Sequence, residues 1–196
     1  MLKVIVAILL AIAAMAGIVA LLGGRLPVGH VASRSVVVGG PMDVVFSTIT
    51  DFNAAPSWRK DLKSVTVTTD STTGRQRVTE ESSTGPMTME VEQLVPPTRL
   101  VMRIVGEDLP YGGAWAYALE PQGNATRVTI SEHGEVYNPI FRFIATYIMG
   151  QTGTIDTYLT NLGRKFGNEV TPVDAAAVPL NRGTGFWVPG TGEAAP

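Results

Sequence analysis

Two periods divide the chain. From Leu62 to Tyr137 apolar and polar residues alternate, with Val65 and Val67 against Thr66 and Thr68, and Met87, Met89 and Val91 against Thr88, Glu90 and Glu92. Val78, Glu80 and Ser82 alternate with Thr79 and Glu81, Leu100, Met102 and Ile104 repeat the pattern, and so do Trp115, Tyr117 and Leu119, and then Val128 and Ile130. Period two places one set on each face of a strand. Turn residues separate the runs at Thr73-Gly74, Gly85-Pro86, Pro96-Pro97, Gly112-Gly113 and Gln122-Gly123-Asn124. Six consecutive strands with short connections predict an antiparallel meander that buries one face.

Helical spacing flanks this block. Upstream, Ser33–Val38 reads as a first strand, and Val44, Val45, Ile49 and Phe52 as a short helix after Pro41. Ala54–Asp61 reads as a second helical turn carrying Trp58. Downstream, Asn138-Pro139 supplies a cap and a first-turn proline. Phe141, Ile144, Tyr147, Ile148, Ile155, Tyr158, Leu159, Leu162 and Phe166 then continue down one side of a long helix, which Gly150 and Gly153 allow to bend and Gly167 ends.

Val4–Gly24 carries no charged or strongly polar residue. As a helix it spans about 30 Å, the thickness of a bilayer's hydrocarbon core. Ala14-Met15-Ala16 offers a signal-peptidase-like alternative, but the apolar run continues through Leu22, as an anchor requires and a signal peptide does not. Residues 1–24 are therefore expected to anchor a single-pass membrane protein, with residues 25–32 as a linker and the folded domain at 33–168. Residues 169–196, rich in Pro, Gly, Ala and Thr, are expected to form a disordered tail, with Phe186-Trp187 as a docking element. Lys3 on one side and Arg25 and Arg34 on the other do not fix the orientation.

Composition narrows the chemistry. The chain has 196 residues, 15 Lys+Arg against 17 Asp+Glu, and no basic stripe, which argues against nucleic acid as a partner. It has no cysteine, so disulfides and thiol chemistry are excluded. His133 and Glu135 share a strand face, but no further His or Cys completes a metal site, and no nucleophile elbow accompanies His133. No metal and no cofactor is expected.

The order of strand, two short helices, six strands and long helix resembles the START/SRPBCC superfamily, an α+β helix-grip fold. Val44-Val45-Phe46, Thr50-Asp51-Phe52 and Pro56-Ser57-Trp58-Arg59 resemble its first helix and the following turn. Glu80-Glu81, Pro96-Pro97-Thr98-Arg99-Leu100, Gly113-Ala114-Trp115, Thr129-Ile130-Ser131-Glu132 and Asn138-Pro139-Ile140-Phe141-Arg142-Phe143 resemble its polyketide cyclase/dehydrase-like branch. The resemblance implies a cavity between the concave sheet and the last helix. Strand parity turns Met87, Met89, Met102, Trp115, Tyr117, Ile130 and Glu132 inward. Phe141, Ile144, Tyr147 and Ile148 approach from the helix, and Trp58 stands at the mouth. Met and aromatic walls with a few polar groups suit an apolar small molecule or lipid.

Three functions follow: a membrane-tethered carrier of such a molecule with no catalytic residue, a cyclase or dehydratase using a cavity carboxylate, Tyr117 or His133, and an interaction module without a ligand. Glu80 and Glu132 share the inward parity, and Arg59 or Arg103 is expected to pair with one of them.

Overall fold

The computed structural model describes residues 1–182 and 185–186. The fold is α+β, with an antiparallel sheet wrapped against a C-terminal helix. α1 (Leu2–Gly24) is long and apolar enough to cross a membrane. β1 (Gly29–Gly39) and α2 (Met42–Thr50) follow, and a 3₁₀ turn (Phe52–Ser57) leads into the meander. The meander comprises β2 (Leu62–Thr69), β3 (Gln76–Ser82), β4 (Gly85–Val95), β5 (Arg99–Ile104), β6 (Tyr111–Gln122) and β7 (Ala125–Val136). β1 closes it by pairing with β7, giving the order β2-β3-β4-β5-β6-β7-β1. β1 begins four residues earlier than the β-branched run suggests, so Gly29–Ala32 belong to the sheet and not to a linker.

The expected long helix is two helices. α3 (Pro139–Ile144) starts where Asn138 Oδ1 accepts the Ile140 and Phe141 amides, and it runs into a π-helical turn through Met149. Gly150, at φ +75°, then breaks the path in the left-handed region that glycine adopts without strain. α4 (Gly153–Lys165) resumes beyond it. Ile155, Tyr158, Leu159 and Leu162, at i, i+3, i+4 and i+7, are buried against the sheet. Its end is a Schellman motif: the Asn168 amide donates to Gly163 and the Gly167 amide to Arg164, with Gly167 at φ +75°. α2 turns Val45, Phe46 and Ile49 inward, while Val44, expected in the core, is exposed.

The tail also differs from expectation. Residues 170–180 run back over the convex face of the sheet, where β8 (Val173–Asp174) pairs with β1. Val178 and Leu180 are buried against Val101, Ala114 and Ala116. Three alanines in alternation (114, 116 and 118) leave a shallow trough, and the tail fills it. The Val178 amide donates to Ser131 Oγ at 2.8 Å, and His133 Nε2 lies 2.8 Å from the Val178 carbonyl. Burial, with Arg103 and Arg99 nearby, holds the His133 pKa below the ordinary imidazole value. Arg34 joins three elements, bonding Asp156 of α4, Asp174 of β8 and the Pro172 carbonyl. A two-residue pairing of Asn181–Arg182 with Gly185–Phe186 follows. Of the expected docking element Phe186-Trp187, Trp187 lies outside the described residues.

Candidate functional site

The concave face divides into two halves. Under α4 it is filled. Met89, Met102, Ile130 and Tyr117 are buried there with Leu159 and Leu162. Trp58, Tyr158, Tyr117 and Trp115 form an aromatic cluster with ring centroids 5.4 to 6.2 Å apart, in the tilted and edge-on arrangements that ring quadrupoles favour. Burial raises the Tyr117 and Tyr158 pKa values far above the usual phenol range. Arg59 lies over the Tyr158 ring at 4.9 Å and pairs with Glu80 at 2.5 Å and Asp61 at 2.7 Å. Asn161 donates to the other Asp61 oxygen at 3.0 Å. Glu80 is thus a buried, paired carboxylate, and its partner is Arg59.

Where the last helix breaks, the face opens. A cavity of about 480 Å³ lies between α3, the 150–154 turn and the adjoining ends of β1, β4, β6 and β7. Met87, Trp115, Glu132, Phe141 and Ile144 line it, as five of the twelve side chains singled out in the sequence. Met89, Met102, Tyr117, Ile130 and Trp58 do not reach it; they are core. Tyr147 and Ile148 are exposed on the outer side of the π turn. The π turn and the turn at Gly150 rotate them off the face that a continuous helix would present.

Glycines shape the floor. A Cβ on Gly134 would sit 2.4 Å from His30 Cε1, so this position admits the imidazole. His30 Nε2 is 3.5 Å from Glu132 Oε1. A Cβ on Gly112 would sit 2.6 Å from the Tyr137 hydroxyl, which donates to Glu135 at 2.6 Å. Burial and that bond push the Tyr137 pKa up to about 12. The sequence pattern alone places His30 in the linker, whereas the structure places it in β1. Its signal was the inward parity of Ala32, Val36 and Val38 carried back along β1. A second cavity of about 500 Å³, beside the Arg59–Glu80 pair, shares Met87, Tyr111, Gly153 and Thr154 with the first. Among the described residues no group of three His, Asp or Glu gathers to hold a metal. The His133 imidazole is taken up with the tail.

A family model described as polyketide cyclase / dehydrase and lipid transport matches residues 30–167. The chain belongs to this family. The matched span begins at His30 and ends at Gly167, so it takes in the meander, nearly all of β1, and α4, and leaves α1 and the tail with β8 outside. Solved structures with the same fold include a START superfamily protein from Mycobacterium smegmatis, 17% identical with a TM-score of 0.55, covering 70% of this chain and 97% of that one. A norcoclaurine synthase from Thalictrum, in complex with a transition-state analogue, is 10% identical with a TM-score of 0.56, covering 72% and 96%. The di-domain aromatase/cyclase StfQ of steffimycin biosynthesis is 8% identical with a TM-score of 0.56, covering 71% of this chain and 51% of that one. At these identities the likeness establishes the fold. Among curated proteins none matches this chain.

Proposed function

We propose that the protein is a membrane-tethered binding protein for an apolar small molecule or lipid, held in the cavity between α3 and the sheet. The observation that carries this reading is the cavity itself: mostly apolar, roomy, and set where the concave face is left unfilled beneath α3. Cavities of some hundreds of Å³ lined by Met, Trp, Phe and Ile suit a hydrophobic ligand, and the family model's description includes lipid transport. Tethering through α1 keeps the cavity beside a reservoir of apolar molecules and raises their local concentration. Glu132 and His30, at the polar edge of the cavity, orient a ligand's one polar group.

A second reading rests on that same pair. A His beside a carboxylate on an apolar cavity is an arrangement for moving a proton, as a cyclase or dehydratase needs. Here Glu132 and His30 would act, while Tyr117 sits in the core.

Native mass spectrometry of the full chain released from lipid nanodiscs, with extraction of bound molecules, separates these readings. The carrier reading expects one apolar molecule per chain, retained unchanged and still bound by His30→Gln. Loss of turnover in that variant, with a converted product on the wild type, would favour the enzyme.

A further inference from the structure

α3 and its π turn carry four exposed large apolar side chains, Ile140, Phe141, Tyr147 and Ile148, within ten residues. Single exposed apolar residues are ordinary, but a cluster of this kind marks a contact surface. Its only charged residue is Arg142, whose guanidinium reaches back to the Leu26 carbonyl at 3.1 Å.

The position of this segment is set by α1. Gly23 is buried where the two helices touch; a Cβ there would stand 1.8 Å from the Pro139 carbonyl oxygen and 3.4 Å from Phe143 Cβ. Val19 and Ala20, one turn earlier, are half-buried, whereas the preceding residues of α1 are exposed. A bilayer core takes up about 20 residues of helix. In a 23-residue span Gly23 therefore lies where hydrocarbon gives way to headgroups, with Val19 and Ala20 one turn inside it. α3, packed against those residues, is held at that depth. An aromatic such as Tyr147 suits the boundary, and a long cation that turns its head toward the juxtamembrane backbone, as Arg142 does, is the arrangement that lets the stem stay in apolar surroundings. Phe141 belongs both to this surface and to the cavity lining, and Ile144 lines the cavity one turn on.

We infer that α3 and the π turn lie in the membrane interface, so that the cavity opens toward lipid and takes its ligand from the bilayer without passing through water. This rests on the proposed anchor and ligand, and names the side from which that ligand arrives.

The absence of cysteine makes the test clean, since any introduced cysteine is the only one. Ile148→Cys, Ile12→Cys in mid-span and Leu94→Cys, exposed at the far end of β4, are each labelled with an environment-sensitive fluorophore. The full chain is then placed in phosphatidylcholine vesicles carrying a nitroxide on the lipid chains. The inference expects blue-shifted emission and quenching several-fold stronger at position 148 than at 94, approaching that at 12. A label at 148 that behaves like that at 94, while position 12 is strongly quenched, overturns the inference and leaves the anchor standing. An unquenched label at position 12 removes the anchor, and the inference with it. Uptake of a fluorescent fatty acid, followed on the same samples, reports on the ligand reading separately: quenching at 148 without uptake keeps the membrane contact and refutes the carrier.

Discussion

The two halves of the concave face are made from the same alternating strands, yet one is solid and the other hollow. Beneath α4, side chains from Val78 to Leu162 interlock and four aromatic rings share edges. Beneath α3 the same strands end in Gly112, Gly113 and Gly134, and the helix above has broken away at Gly150. Small residues below and an irregular helix above leave the space that a continuous amphipathic helix would have filled. The packed half carries the core, and the other half is left open, where the proposed ligand would sit.

Substitutions test that division, and the largest effects belong to the filled half. Leu159 is fully buried, so Leu159→Ala is expected to cost about 2–5 kcal/mol in urea denaturation. Glu80→Ala, which strips a buried guanidinium of its closest carboxylate, should cost about 3–5 kcal/mol. A comparable loss from Phe141→Ala would erase the distinction between the halves. Trp115 belongs to both halves, so Trp115→Ala should lower stability and also weaken uptake of a fluorescent fatty acid far more than Thr88→Ala, whose hydroxyl meets Thr79. Equal losses would mean that the ligand lies elsewhere.

Smaller again is the pH response of the tail. The His133 pKa is lowered in the fold, so the unfolded chain binds the proton more readily. The associated stability is complete above the ordinary imidazole value of about 6.5 and is lost as pH falls through the folded value. The protection of the Val178 amide from hydrogen exchange, relative to an unstructured amide at the same pH, should fall below about pH 6.5 in the wild type, and this step should be absent in His133→Gln. The smallest effect is expected at Ile148→Ser, which should change stability by less than about 0.5 kcal/mol because the side chain is exposed.

Much of the fold was readable because it rests on alternation. All six meander strands fall where Val, Met and aromatic residues alternate with Thr and Glu, and the Asn138-Pro139 start of α3 is a local signal. The site was only partly readable. Parity says which way Met89 and Met87 point, but not that the void ends between them, since that depends on what α4 brings from seventy residues away. Gly150 was visible as a weak point, whereas its left-handed backbone, which turns Tyr147 and Ile148 outward, is a tertiary outcome. His30 was missed because Gly29 and His30 have little strand propensity and pair with β7 only through the completed sheet. The tail's docking was hidden because its composition has no period and its partner is a row of alanines.

The account's central claim is that the hollow half holds the ligand, and filling it is the most direct test. Ile144 lines the cavity at its helical wall, so Ile144→Trp adds bulk where the space is and leaves the α4 core alone. Titration with a fluorescent fatty acid, alongside urea denaturation of the same protein, should show at least a roughly tenfold rise in Kd, about 1.4 kcal/mol, with stability nearly unchanged. Unaltered affinity in a folded Ile144→Trp protein would contradict the claim and place fatty-acid binding on another surface.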